Sequence, residues 1–129
     1  MTEPDMRVLF ADVSGAGRRA IATLLRSLPG IALVAEAGTL EELERERRRS
    51  APDVIIVDDR LLDASGLGPR DADLPLIVLG LDDDPSFARR AQRLGATAWI
   101  AKEQAGDLLP EALDDARRRR DMSASRSVI

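Results

Sequence analysis

Five short apolar runs, at residues 8–11, 31–35, 54–57, 76–79 and 98–101, alternate with longer stretches whose apolar residues recur at helical spacing. Runs this short, apolar on both faces, fit strands covered from both sides, the condition of a parallel sheet. Strand followed by helix, five times over, predicts a single α/β domain with right-handed crossovers and a doubly wound five-stranded parallel sheet. A chain of 129 residues has room for one such unit and little else.

The helices differ in clarity. Ile21, Leu24, Leu25 and Leu28 form a stripe that Pro29 and Gly30 should end, and Leu40 and Leu43 mark a second helix with a charged far end. Between the third and fourth runs, Gly66, Gly68 and Pro69 limit any third helix to a turn or two. A fourth is signalled by Asp84 as cap, Pro85 in the first turn, and Phe87, Ala91 and Leu94 on one face. The last carries Leu109, Ala112, Leu113 and Ala116; Pro110 belongs in a first turn, so this helix should begin near Asp107. The domain is expected over 1–121, with a flexible Ser-rich tail or linker over 122–129.

The chain has neither cysteine nor histidine, so disulfides, thiolate or imidazole metal ligands and histidine acid–base chemistry are excluded. A net charge of −4 argues against direct nucleic-acid binding. The first residues have no basic segment leading into an apolar one, and no apolar run approaches the roughly 20 residues that span a bilayer. A soluble cytoplasmic protein is expected. Chemistry falls to carboxylates, hydroxyls, the backbone and one lysine, Lys102, among 18 arginines.

In an open parallel sheet, ligands bind beyond the carboxyl ends of the strands. The first run is followed by Asp12, the third by Asp58 and Asp59, the fourth by Gly80, and the fifth by Lys102. One rim would thus gather carboxylates and the single lysine. Any one of these could be a simple polar strand end, but their joint placement points to a site.

Four segments carry a family resemblance: Arg7-Val8-Leu9-Phe10-Ala11-Asp12-Val13-Ser14-Gly15-Ala16-Gly17-Arg18-Arg19, Pro52-Asp53-Val54-Ile55-Ile56-Val57-Asp58, Leu74-Pro75-Leu76-Ile77-Val78-Leu79 and Leu94-Gly95-Ala96-Thr97-Ala98-Trp99-Ile100-Ala101-Lys102. Together, over roughly residues 7 to 118, they resemble the receiver domains of response regulators, especially those of LuxR-type transcription factors. The resemblance implies the flavodoxin-like receiver fold, strand order 2-1-3-4-5, here with a shortened third helix. It implies phosphoryl transfer from a kinase phosphohistidine to an aspartate. In such domains a pair of acids, the acceptor and a backbone carbonyl hold Mg²⁺, while a lysine and a hydroxyl hold the phosphoryl oxygens. By position Asp58 is the acceptor, Asp12 the first acid, Arg60 the carbonyl donor, Lys102 the lysine and Trp99 the switch aromatic. The implied partners are a histidine kinase or other signalling protein and a second copy, paired through helices four and five or one and five. Neither an enzyme, nor a direct nucleic-acid contact by this domain, nor a membrane is implied.

Two positions depart from that pattern. Val13 stands where the second acid belongs and cannot bind a hard cation. Gly80 stands where the hydroxyl belongs, and losing a hydrogen bond to a charged group costs about 1.5–3 kcal/mol, roughly 10- to 100-fold in a phosphorylated state. The expectation is an atypical receiver with weak or absent Mg²⁺ and impaired phosphorylation, acting in signalling or transcriptional control. Gly80 should leave room for a ring, so Trp99 should hold one orientation. Asp59 or Asp63 could stand in for the missing acid. The alternative is a conventional receiver phosphorylated at Asp58 by a histidine kinase. A small hydrolase with Asp58 as nucleophile lacks a general base. Asp82, Asp83 and Asp84 read as a loop and helix cap, and the arginines at 45, 47–49 and 117–120 as solvated helix ends.

Overall fold

A computed structural model describes residues 5–62, 74–80 and 85–126. The chain runs β1 (Met6–Ala11), α1 (Gly15–Ser27), β2 (Ile31–Ala37), α2 (Leu40–Ser50), β3 (Val54–Asp58), α3 (Asp59–Leu62), β4 (Leu76–Gly80), α4 (Pro85–Arg93), β5 (Ala98–Ala101), a 3₁₀ turn (Lys102–Gln104) and α5 (Ala105–Arg126). The strands form one five-stranded sheet in the order β2-β1-β3-β4-β5. Every pairing is parallel. The doubly wound α/β fold and strand order expected from the sequence are those observed.

Alternation along each strand divides the core into two layers. Met6, Val8, Phe10, Val54, Ile56, Ile77, Leu79 and Ile100 pack with α1 and α5 through Ile21, Leu25, Leu109 and Leu113. Leu9, Ala11, Ile55, Val57, Leu76 and Val78 face the other way, onto Leu43, Leu61, Leu62, Phe87 and Ala91. A strand buried on both faces has no polar alternation, which is why the runs read as unbroken apolar segments. β2 is an edge strand and stays half-buried until Ala37.

Local chemistry sets the helix ends. Ser14 Oγ accepts from the Gly17 amide at 3.2 Å to cap α1, and Thr39 Oγ1 accepts from Glu42 at 3.1 Å to cap α2. α3 is described over Asp59–Leu62; the expected limit on its length falls on Gly66, Gly68 and Pro69, which with Asp63 lie outside the described residues. Pro85 opens α4, while Leu81 and Asp82–84 are also outside them.

α5 departs from expectation at both ends. It starts at Ala105, continuing from the 3₁₀ turn, so Pro110 lies past the first turn, where it withholds the amide that would reach Gly106. Gly106 is exposed, so water can satisfy its carbonyl in place of that amide. The helix continues to Arg126, beyond the expected boundary at 121.

Nor is the arginine run of α5 wholly solvated. Arg117 donates to the Gly30 carbonyl at 2.6 Å and Arg120 to Asp53 Oδ2 at 3.1 Å, tying α5 to the amino-terminal rim of the sheet. The arginines of α2 do pair along their own helix, Arg47 with Glu44 at 3.1 Å.

Leu108 and Leu109 are chemically alike neighbours, one 36% exposed and one fully buried. Leu109→Ala is expected to lower unfolding free energy by about 2–5 kcal/mol, and Leu108→Ala to change it within about 0.5 kcal/mol. Urea denaturation followed by circular dichroism checks both.

Candidate functional site

The carboxyl-terminal rim of the sheet draws together three groups remote in sequence. β1 delivers Asp12 one residue past its end, β3 ends in Asp58, and Lys102 follows β5 directly. Lys102 Nζ donates to Asp12 Oδ2 at 2.9 Å and to Asp58 Oδ2 at 2.7 Å. One ammonium therefore bridges both carboxylates.

Arg60, the second residue of α3, turns its side chain back over the same acids. Its guanidinium donates to Asp58 Oδ2 at 2.8 Å and reaches Asp12 Oδ1 at 3.4 Å. Its amide donates to Asp58 Oδ1 at 2.8 Å, and the Ser14 amide to Asp12 Oδ1 at 2.9 Å. All four carboxylate oxygens have a donor. The acid side chains are 0% and 1% exposed, whereas Arg60 is 44% exposed and closes the mouth. Two carboxylates and two cations balance.

Burial by itself would raise the Asp58 carboxyl. Hydrogen bonds from Arg60, and then from Lys102, outweigh it and hold the group well below the usual carboxylate range. The hydrogen bond to Asp58 in turn raises the Arg60 guanidinium above its ordinary value. Arg60 is a permanent cation.

The resemblance implies Mg²⁺ here, but these residues do not fit it. Mg²⁺ needs near-octahedral oxygen ligands and retains several waters. Every oxygen of the two carboxylates is already paired with a donor, and the neighbouring side chain is Val13, apolar and 44% exposed. Among the described residues no group of three or more Asp, Glu, His or Cys side chains is placed to hold a metal ion. Asp59 points away, to Arg90 at 2.5 Å.

Gly80 is not open space either. A Cβ built there would lie 2.9 Å from Cε1 and Cζ of Phe87, so the α4 ring already covers the position. Trp99, expected to use that room, instead lies 39% exposed on the edge strand. Sequence reasoning places Phe87 on the apolar face of α4 but not over Gly80. It assigns Arg60 only a carbonyl and misses the guanidinium; the signal available is a cation two residues beyond Asp58.

No family model matches the chain. It is 25% identical over 119 residues to the transcriptional regulatory protein DegU of Brevibacillus brevis, covering 88% of this chain and 50% of DegU. The chain thus spans about half the length of that curated relative. Among solved structures it is similar to the non-phosphorylated receiver domain of the Escherichia coli stress response regulator RcsB (TM-score 0.76, 22% identity, 88% of this chain and 94% of that one). It is also similar to the receiver domain of the Mycobacterium tuberculosis putative response regulator NarL (0.73, 18%, 89% and 98%). The response regulator domain of Thermotoga maritima CheB is a third (0.69, 21%, 91% and 97%). The fold is that of a response regulator receiver domain.

Gly80→Ala should destabilise the protein by about 1–3 kcal/mol through overpacking, and Phe87→Leu should recover part of that loss in the double variant. A double-mutant cycle in urea measures the coupling. Asp58 predicts a pH dependence as well. Because its folded carboxyl is held below the unfolded value of about 3.9, its contribution is complete above that pH and is lost as pH falls through the folded value. The urea midpoint of the wild type should therefore fall more steeply in acid than that of Asp58→Asn.

Proposed function

We propose that this chain is an atypical receiver module of two-component-type signalling, in which Mg²⁺-dependent phosphorylation of Asp58 is impaired and output runs through protein contacts. The observation that carries this reading is the pocket itself: both acids buried and matched by Lys102 and Arg60, with Val13 where a second acid would stand. A kinase phosphohistidine would have to deliver its phosphoryl group to an oxygen already held by two cations. Phe87 over Gly80 leaves no hydroxyl there to follow a phosphoryl group and little space for an aromatic to enter.

The partners proposed are a histidine kinase or other signalling protein and a second copy of the chain. Transcription regulation is the proposed setting, supported by the likeness to DegU. A non-enzymatic role agrees with the lack of histidine and cysteine and with Asp58 being tied down rather than free as a nucleophile. Among the described residues no helix is long and apolar enough to cross a membrane.

Intact-mass measurement after incubation with acetyl phosphate and MgCl₂ tests the proposal. The expected result is phosphoryl occupancy little above that of Asp58→Asn. Stoichiometric modification at Asp58 would instead assign a conventional receiver.

A further inference from the structure

The acidic pocket contains its own counter-ion. We infer that Arg60 is a tethered cation that takes the place of a divalent metal, so that the Asp12–Asp58 pair is charge-compensated without any ion from solution. This deepens the proposed function and rests on reading the rim as the receiver's acidic site; the charge balance itself needs only the geometry.

Two carboxylates drawn out of water beside each other repel, and one ammonium cannot neutralise both. Lys102 bridges Oδ2 of Asp12 and Oδ2 of Asp58, leaving one negative charge over. The Arg60 guanidinium supplies the remaining positive charge, with NH2 at 2.8 Å from Asp58 and 3.4 Å from Asp12. It spans both acids, as a bridging metal would, but through donors fixed in a plane. Its backbone amide binds Asp58 Oδ1 at 2.8 Å, so the start of the helix that carries the cation is anchored to the acid it neutralises. Tethering two residues away gives a high effective concentration that salt or chelators cannot lower. Val13 agrees with this balance: with the cation supplied by the chain, a second acid would leave the pocket overcharged.

The test is calorimetric titration of the full chain with MgCl₂ at constant ionic strength, on wild type, Val13→Asp and Val13→Asp/Arg60→Met. Methionine keeps an apolar stem and removes the charge. Wild type should give no saturable binding, and the double variant should bind Mg²⁺ about ten-fold or more tightly than Val13→Asp alone. Saturable Mg²⁺ binding by wild type, or no gain from removing Arg60, overturns the inference. Asp58→Asn in the absence of metal gives an independent reading should a pocket variant not fold. In an under-compensated acidic pocket, neutralising one acid stabilises the fold, whereas here it unbalances a neutral cluster and should lower Tm. A raised Tm overturns the inference. None of these measurements involves phosphorylation, so an acetyl phosphate result against the proposed function would leave the counter-ion inference to stand or fall on its own.

Discussion

Two carboxylates buried at the rim of a parallel sheet must be matched by positive charge, and the rest of the site follows from how this chain meets that requirement. Asp12 and Asp58 end neighbouring strands, and neither exposes more than 1% of its side chain. An unpaired charge so placed would be several kcal/mol unfavourable. Lys102 comes from β5, on the far side of β4, and its long stem crosses the end of β4 to reach both acids. The strand order therefore decides which residues meet. A different order built from the same five strands would leave the lysine on one rim position and the acids on another.

Much of this is legible in the chain. Strands buried on both faces appear as unbroken apolar runs, and the residues after them fall at the carboxyl rim by construction. Asp12, Asp58 and Lys102 can thus be placed together from sequence alone. Arg60 cannot: an arginine in the first turn of a helix can face solvent or fold back, and periodicity does not decide between them. Phe87 shows the same limit. Its spacing with Ala91 marks the buried face of α4, but that the ring lies over Gly80 depends on how α4 sits against β4, a tertiary fact. At α5, Pro110 reads as a first-turn residue, which would start the helix near Asp107. The 3₁₀ turn leads into the helix earlier, and the missing amide falls opposite Gly106, an exposed residue.

In the proposed function, Val13, Arg60 and the contact of Phe87 with Gly80 act in one direction. Val13 offers no oxygen ligand, Arg60 places a cation that cannot dissociate on both acids, and the Phe87 ring packs over Gly80. A ligand shifts a conformational equilibrium only through a difference in its interaction with the two states. An ion that would bind acids already paired has little such difference to offer, and a phosphoryl group would find no hydroxyl at position 80 to draw inward. On the proposed reading, each of these alone would weaken one step of a switch. Together they would make the rim part of the folded core's own electrostatic balance, and the surfaces that α4, β5 and α5 present to other proteins would be set by folding rather than by occupancy of the pocket.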